Sequence, residues 1–246
     1  VVGATEVSNN LFANVNVFLQ GVSTTRGNAV HDALNYFADG KSWFDMSIWT
    51  QTRMYFQLYL YYHAQGHNPR FYQTLFKLLR EDPMSKRSGD YDSSLKNGSG
   101  KAVGGYITYG RQNYLHLAKK ICDAAQADLS EFFEVYGFFH PQDKRYIGDY
   151  SDYWVTTTQK DIDEAKAYMH RYPKGPNIMF IDDRIKPSPV LKDSPLEGKS
   201  NSEYRVDYED EETRRIGYAD LGQWSDFVDD YTTDGYYYTT TYSQGK

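Results

Sequence analysis

The sequence predicts a mainly α fold, a helical body with a small β tail. Apolar residues recur at helical spacing along much of the chain, most regularly over residues 46–65. The C-terminal stretch "DGYYYTTTYSQGK" is β-branched and aromatic behind an Asp-Gly turn, which is typical of a hairpin strand. We therefore expect helices first and the beginning of a β region at the end.

Four helices are predicted before residue 82. Gly21 ends the first pattern, and Gly66 followed by Asn68-Pro69 ends the third. Pro69 fits the first turn of the fourth helix. The predicted ranges are 5–20, 28–38, 46–65 and 69–81.

Residues 84–104 interrupt the helical pattern. The stretch is rich in Gly, Ser and Lys and has no periodicity, so it predicts a long exposed loop. Loops of this length usually have a role, and we expect this one to face a substrate. Further helices are predicted at about 108–126, 128–136 and 159–171, the second of them opened by a capping box of Asp128 and Glu131.

The chain is predicted to divide after residue 187. Residues 1–187 form the helical body, and residues 188–246 form an acidic, Tyr-rich linker followed by the start of a β region. The run "DYEDEETRR" in the linker is best read as a solvated surface. No internal repeat is present.

Composition excludes several classes of protein. The 246 residues carry a net charge of −6, which argues against a nucleic-acid groove because such grooves need a basic patch. Aromatic residues make up 17%, too many for a disordered chain, although the mean hydropathy is −0.73. No apolar run reaches the roughly 18 residues of a transmembrane segment. A signal peptide is also absent, but the chain begins with Val1, so we expect residues to precede it.

The single cysteine, Cys122, excludes an intrachain disulfide. It lies on the apolar stripe of its predicted helix, together with Leu115 and Ala118, and a buried structural thiol is expected. Ser, His and Asp residues are numerous, but the sequence alone cannot place three of them together, so no catalytic triad is predicted.

His63 and His67 have the spacing of two zinc ligands on one helix, with Glu81 downstream as a conceivable third ligand. Ala64 occupies the position of the general-base glutamate, and Gly66 with Asn68-Pro69 breaks the helix. A helix end with two solvated histidines is therefore favoured over an inactivated zinc site.

Two weaker motifs are interpreted as loops or turns. "NGSGKAVGG" suggests a phosphate loop, but Leu95 stands where the first glycine should be and Ala102 replaces the required Ser or Thr. "DYTTDG" begins like a calcium loop at Asp230, yet its twelfth position is Thr241 instead of Glu.

The 24 tyrosines leave two interpretations open. Most of them would line the core or its polar edge, while an exposed subset could stack on sugar rings, because a tyrosine offers an apolar face and a polar tip.

Glu6 also has two interpretations from the residues alone. A glutamate in a first helical turn is favoured by the helix dipole. Its face continues through Asn10 to Ala13 and Val17, from polar to apolar, as it would if the carboxylate pointed into a cleft.

Several segments together resemble the C-terminal half of the enhancin-like, mucin-degrading metallopeptidases of the gluzincin type. They occur in the expected order over about residues 3–184: "TEVSNNLFANV", "QLYLYYHAQGHNPRFYQTLFKLLREDP", "CDAAQADLSEFFEVYGFF" and "TTTQKDIDEA…NIMFIDDR". In that family an HExxH helix supplies two zinc histidines and the general base, and a glutamate in a "TE" segment supplies the third ligand.

The resemblance implies that Glu6, in Thr5-Glu6, is the third zinc ligand. Three protein ligands leave a fourth position for a water that the metal acidifies. No HExxH occurs in the 246 residues. We therefore expect it to lie upstream of Val1, and the isolated chain to be an inactive fragment of a zinc metallopeptidase. The resemblance also explains "HAQGH" as an ordinary helix end.

By the same resemblance, the parent protein hydrolyses peptide bonds in O-glycosylated, mucin-like glycoproteins, and it is extracellular or located at the bacterial cell surface. Its partners are glycoprotein substrates. The alternative is a non-catalytic glycan- or protein-binding helical module that uses its aromatic surface, and a purely structural helical domain is the third possibility.

Overall fold

The computed structural model describes residues 1–19, 36–178 and 181. Six helices in these ranges carry the labels α1 Thr5–Leu19, α2 Ile48–Leu58, α3 Phe71–Glu81, α4 Tyr114–Ala125, α5 Ser130–Val135 and α6 Gln159–Met169. Four strands carry the labels β1 Tyr91–Asp92, β2 Gly105–Tyr109, β3 Gln142–Gly148 and β4 Asp152–Thr157. The described residues also include two 3₁₀ turns, Trp43–Asp45 and Gly110–Gln112, and a π-helical segment, Tyr59–Ala64.

The helices confirm most of the predicted pattern. The ranges predicted as 5–20, 46–65, 69–81 and 159–171 all contain a helix, and each observed boundary lies within a few residues of the predicted one. The range 28–38 lies mostly outside the described residues, of which 36–38 are helical. No described helix is long and apolar enough to cross a bilayer.

The sheet was not predicted. Its strand order is β1-β2-β4-β3, with β2 and β4 parallel and the two outer pairs antiparallel. The fold is thus about half helical with a small mixed sheet in the described residues. The predicted β tail and the predicted division after residue 187 both lie outside the described residues.

The helix predicted from about residue 108 begins later, at Tyr114. Residues 105–109 form β2 instead, because Ile107 and Thr108 pair with β4. The chain then passes close to β4 at Gly110, where any side chain would overlap Thr157. The β-branched residues therefore join the sheet, and the helix starts only after the 3₁₀ turn.

The capping box predicted at Asp128 is wrong. The Asp128 N–H donates to the Pro173 carbonyl at 2.8 Å, and Glu131 pairs instead with Lys174 at 2.8 Å. Asp128 still accepts the Ser130 N–H at 2.9 Å, which satisfies one donor at the start of α5. A complete capping box occurs at α6, between Thr158 and Asp161.

The chain forms two units. The first comprises Val1–Thr5, Ser42–Asp45 and Tyr72–Gly175. The second comprises the described parts of Glu6–Lys41, Met46–Phe71 and Pro176–Lys246.

An aromatic cluster forms the core of the first unit around Trp43. This residue is fully buried, and its ring lies 4.8 Å from Phe138 and 6.4 Å from Tyr136. Its backbone N–H donates to the Gly137 carbonyl at 3.0 Å, which fixes the 3₁₀ turn against the segment after α5. Helices α4 and α6 add an aliphatic layer of Leu115, Ala118, Ile121, Cys122, Ile162, Ala165 and Met169.

The second unit is built from α1, α2 and the π-helical segment. The Phe18 ring of α1 lies edge-on to Phe56 at 6.4 Å and to Tyr59 at 6.1 Å. Arg53 and Gln57 of α2 each donate to the Ile181 carbonyl at 3.1 Å. These buried hydrogen bonds hold the backbone of Ile181, which is distant in sequence, against α2.

We predict that Thr158→Ala lowers the free energy of unfolding by about 1 kcal/mol, because it removes the hydroxyl that accepts the Asp161 N–H at 3.1 Å. Burial alone would raise the pKa of Asp161, but hydrogen bonds from Thr158 and Arg111 outweigh it and lower that pKa. The contribution of the ionised Asp161 is therefore present above the ordinary aspartate pKa and is lost as the pH falls.

Urea denaturation at pH 7 and at acidic pH measures this effect. The control is Lys160→Ala on the same helix turn, which removes only an exposed pair with Glu164 at 3.8 Å. Equal stability changes in the two variants would contradict the capping role of Thr158.

Candidate functional site

The segment leading to Glu6 is anchored within the first unit. Thr5 donates its hydroxyl to Asp149 Oδ2 at 2.7 Å, and the Gly3 N–H donates to the same oxygen at 3.0 Å. The Val2 N–H donates to Asn113 Oδ1 at 3.0 Å in a buried position. Three hydrogen bonds thus fix the chain at the point where α1 begins.

Glu6 itself is half-buried in the first turn of α1. Its carbonyl accepts the Asn10 side-chain amide at 2.8 Å. The sequence suggested a helix face that is polar near Glu6 and becomes apolar towards Ala13 and Val17, as next to a cleft. In the structure the polar Asn10 is buried and the apolar Ala13 is exposed, so this face does not follow the suggested pattern. A carboxylate at this position is compatible both with the helix dipole and with metal ligation.

The described residues do not hold a metal ion by themselves. Within residues 1–19, 36–178 and 181, no group of three or more His, Cys, Asp or Glu side chains could bind one. A catalytic zinc needs three protein ligands. The role of Glu6 as one of them stays a prediction.

His63 and His67 pack against different tyrosines. The His63 ring stacks on Tyr59 at 5.2 Å, and its Nδ1 lies 3.0 Å from the Pro69 carbonyl. The exposed His67 stacks on Tyr61 at 4.1 Å, and burial of part of its ring lowers its pKa. These contacts support the interpretation as a helix end, although His63 is half-buried and only His67 is exposed.

Cys122 is fully buried on α4, as predicted. Burial raises the pKa of its thiol to about 12. Since the thiolate is the reactive form of cysteine, this residue is structural and not a nucleophile.

The glycine-rich stretch does not form a phosphate loop. Asn97 Oδ1 accepts the N–H groups of Ser99 and Lys101, both at 3.1 Å, and the Ser99 hydroxyl at 2.8 Å. The amides of this turn therefore face an asparagine of the same turn, whereas a phosphate loop directs its amides to the ligand.

Residues 84–104 are more ordered than the sequence predicted. They contain β1, and a bridge joins Lys96 to Ala102. The segment borders a cleft of about 390 Å³ in the first unit, which it forms together with β2 and β4. Sequence reasoning missed this cleft because its walls come from stretches about fifty residues apart.

The chain matches no protein-family model and no curated protein. It is similar to the solved structure of a metallopeptidase in complex with Tn antigen, at 28% identity and a TM-score of 0.61, over 93% of this chain and 37% of that chain. It is also similar to a metallopeptidase from Bacteroides thetaiotaomicron, at 26% identity and a TM-score of 0.59, over 92% of this chain and 33% of that one. The chain spans about a third of the length of these structures, and the similarities support a metallopeptidase relative.

We predict that Cys122 resists thiol reagents in the folded protein. With a pKa of about 12, roughly one thiol in ten thousand is ionised at pH 8. Labelling with a chromogenic disulfide should be slow in native buffer and complete within minutes in denaturant. Rapid stoichiometric labelling of the native chain would show that α4 opens readily.

We also predict that Asp149→Ala releases the segment before α1, because it removes the acceptor of both Gly3 and Thr5. Hydrogen–deuterium exchange should show faster exchange of the Gly3 amide. Asp143→Ala, an exposed change on β3, serves as the control and should leave this amide protected. Unchanged protection in Asp149→Ala would mean that other contacts hold the segment.

Proposed function

We propose that this chain is the helical C-terminal subdomain of a secreted, gluzincin-type zinc metallopeptidase of the enhancin-like group. The intact protein would hydrolyse peptide bonds in O-glycosylated, mucin-like glycoproteins, outside the cell or at the bacterial surface. The observation that carries this proposal is the similarity to two metallopeptidase structures over more than nine-tenths of the chain. Both similarities combine a TM-score near 0.6 with more than 25% identity.

Glu6 is the proposed third zinc ligand. Its support is the "TE" segment at Thr5-Glu6, together with the hydrogen bonds that hold Gly3 and Thr5 on Asp149. A ligand needs a fixed backbone, because metal sites tolerate only small errors in ligand position. Zinc, when bound, would supply Lewis-acid activation of water.

The other ligands would come from residues outside this chain. The 246 residues contain no HExxH, and under this proposal the two histidines and the general base would belong to another part of a longer polypeptide. One carboxylate does not hold a catalytic zinc, and the isolated chain should neither bind zinc stoichiometrically nor cleave glycoproteins.

The glycoprotein substrate is supported by one of the two similar structures, which contains Tn antigen. Tn antigen is a glycan, so the proposed substrate is a glycosylated protein. A non-catalytic glycan-binding module is the second candidate, favoured by the exposed tyrosines Tyr91 and Tyr106 in the first unit.

We predict that Glu6→Ala, in the longer polypeptide that includes the HExxH segment, lowers both zinc content and peptidase activity. Removing a residue that binds the metal directly should lower metal affinity or activity by more than the roughly 10–100-fold seen when a hydrogen-bond partner of a ligand is removed. Elemental analysis gives the zinc content, and cleavage of a Tn-antigen glycopeptide gives the activity.

Glu131→Ala is the matched control, because Glu131 also lies in the first turn of a helix. It reproduces the loss of a helix-dipole interaction without touching the proposed metal site. If the Glu6→Ala and Glu131→Ala variants both keep their zinc content and peptidase activity, Glu6 is only a helix-start residue. If no HExxH accompanies this chain, the binding module becomes the better proposal.

A further inference from the structure

The cleft in the first unit combines aromatic walls with a few polar groups. Its volume of about 390 Å³ is within the range of small-molecule sites. The residues that line it include Arg87, Tyr91, Tyr106, Asp152 and Trp154.

Two exposed tyrosines form one wall. Tyr91 and Tyr106 lie opposite each other in the β1–β2 pair, with ring centroids 5.4 Å apart. Their side chains are 57% and 49% exposed, whereas the aromatic residues Tyr153 and Trp154 of β4 are buried. Removing two adjacent aromatic rings from water is favourable, so this surface is suited to contact a ligand.

Two glycines let aromatic side chains of the cleft pack closely against the backbone of the chain. A side chain at Gly104 would overlap the Tyr91 hydroxyl, and one at Gly105 would overlap the Trp154 ring. Trp154 is buried and held by a hydrogen bond from its indole N–H to the Lys96 carbonyl at 2.8 Å. The Trp154 side of the cleft is therefore fixed before a ligand binds, which lowers the entropic cost of binding.

The polar groups of the cleft have unused hydrogen-bonding capacity. Arg87 donates one N–H to the Ser151 hydroxyl at 3.3 Å, and its guanidinium carries further N–H groups that can donate. Asp152 accepts the Tyr146 hydroxyl on Oδ1 at 2.7 Å, and a carboxylate can accept further hydrogen bonds on its second oxygen. The cleft thus offers several donors and at least one acceptor beside an aromatic wall.

We propose that this cleft binds one pyranose ring of a glycan. The C–H face of a pyranose packs on the electron-rich face of a tyrosine, and its hydroxyls both donate and accept hydrogen bonds. The hydroxyls would donate to Asp152 and accept from Arg87. A purely apolar ligand would desolvate these two groups without pairing them, and a phosphate would meet the carboxylate of Asp152.

This inference rests on the proposed function only for the choice of probe, since a similar structure contains Tn antigen. The residues themselves are chosen from the geometry of the cleft. Binding is measured without turnover or metal, so the failure of this inference and the failure of the peptidase proposal are distinguishable.

The experiment titrates the full 246-residue chain with methyl α-N-acetylgalactosaminide and follows binding by protein-observed NMR. We expect saturable shifts in residues that line the cleft. Tyr91→Ala and Tyr106→Ala should each weaken binding at least about tenfold, which corresponds to about 1.4 kcal/mol. Asp152→Asn should weaken sugar binding as well. Oδ1 accepts the Tyr146 hydroxyl, and in the variant the second carboxylate oxygen is replaced by an amide group that donates instead of accepting.

Phe76→Ala is the matched control, since Phe76 is a 40% exposed aromatic residue of the same unit that does not line the cleft. It should bind the sugar like the unchanged chain. Both tyrosines of the cleft are exposed, so their removal should leave the melting temperature almost unchanged, and this is checked by thermal denaturation.

Absence of saturable binding to this sugar and to every glycan of an array would overturn the inference. Binding that survives in Tyr91→Ala and Tyr106→Ala, or shifts that map elsewhere, would overturn it too. Zinc loss in Glu6→Ala has no bearing on either outcome.

Discussion

The parallel pairing of β2 with β4 is the constraint on which the first unit depends. It brings Ile107 opposite Trp154, although the residues are far apart in sequence, and the connection between them contains α4 and α5. Such close approach requires small residues, and Gly105 and Gly110 supply them at both ends of β2. The Tyr114 hydroxyl then donates to Thr157 at 2.8 Å, which joins the start of α4 to the end of β4.

The same pairing positions both the cleft and the segment that leads to α1. Residues of β1, β2 and β4 line the cleft, and two consecutive glycines, Gly104 and Gly105, let Tyr91 and Trp154 pack closely there. Asn113, which holds the Val2 N–H, stands at the N-terminus of α4 directly after the 3₁₀ turn that follows β2. The sheet therefore positions both the residues of the cleft and Asn113, which holds the chain just before α1.

The sequence could predict the helices better than the sheet, for physical reasons. A helix is encoded locally, so the periodicity of residues 159–171 located α6 and that of 5–20 located α1 almost to the residue. Strands β1 and β2 are short, and their partners lie elsewhere in the chain. The β-branched and aromatic runs "YITY" and "YWVTT" carried the signal, but only pairing turns such runs into a sheet. The aromatic cleft could not be predicted either, because its residues come together only through strand pairing. Glu6 could be proposed because it lies in a short local segment, Thr5-Glu6.

The turn between β3 and β4 has a consequence for how this protein can change over time. Asp149 at one end of the turn accepts the hydrogen bonds of Gly3 and Thr5, and Ser151 and Asp152 at the other end line the cleft. Surface loops usually tolerate insertions and deletions, because little depends on their length. Here a single added residue would displace either the anchor of α1 or the polar side of the cleft. This turn should therefore keep its length among related chains even where its sequence drifts.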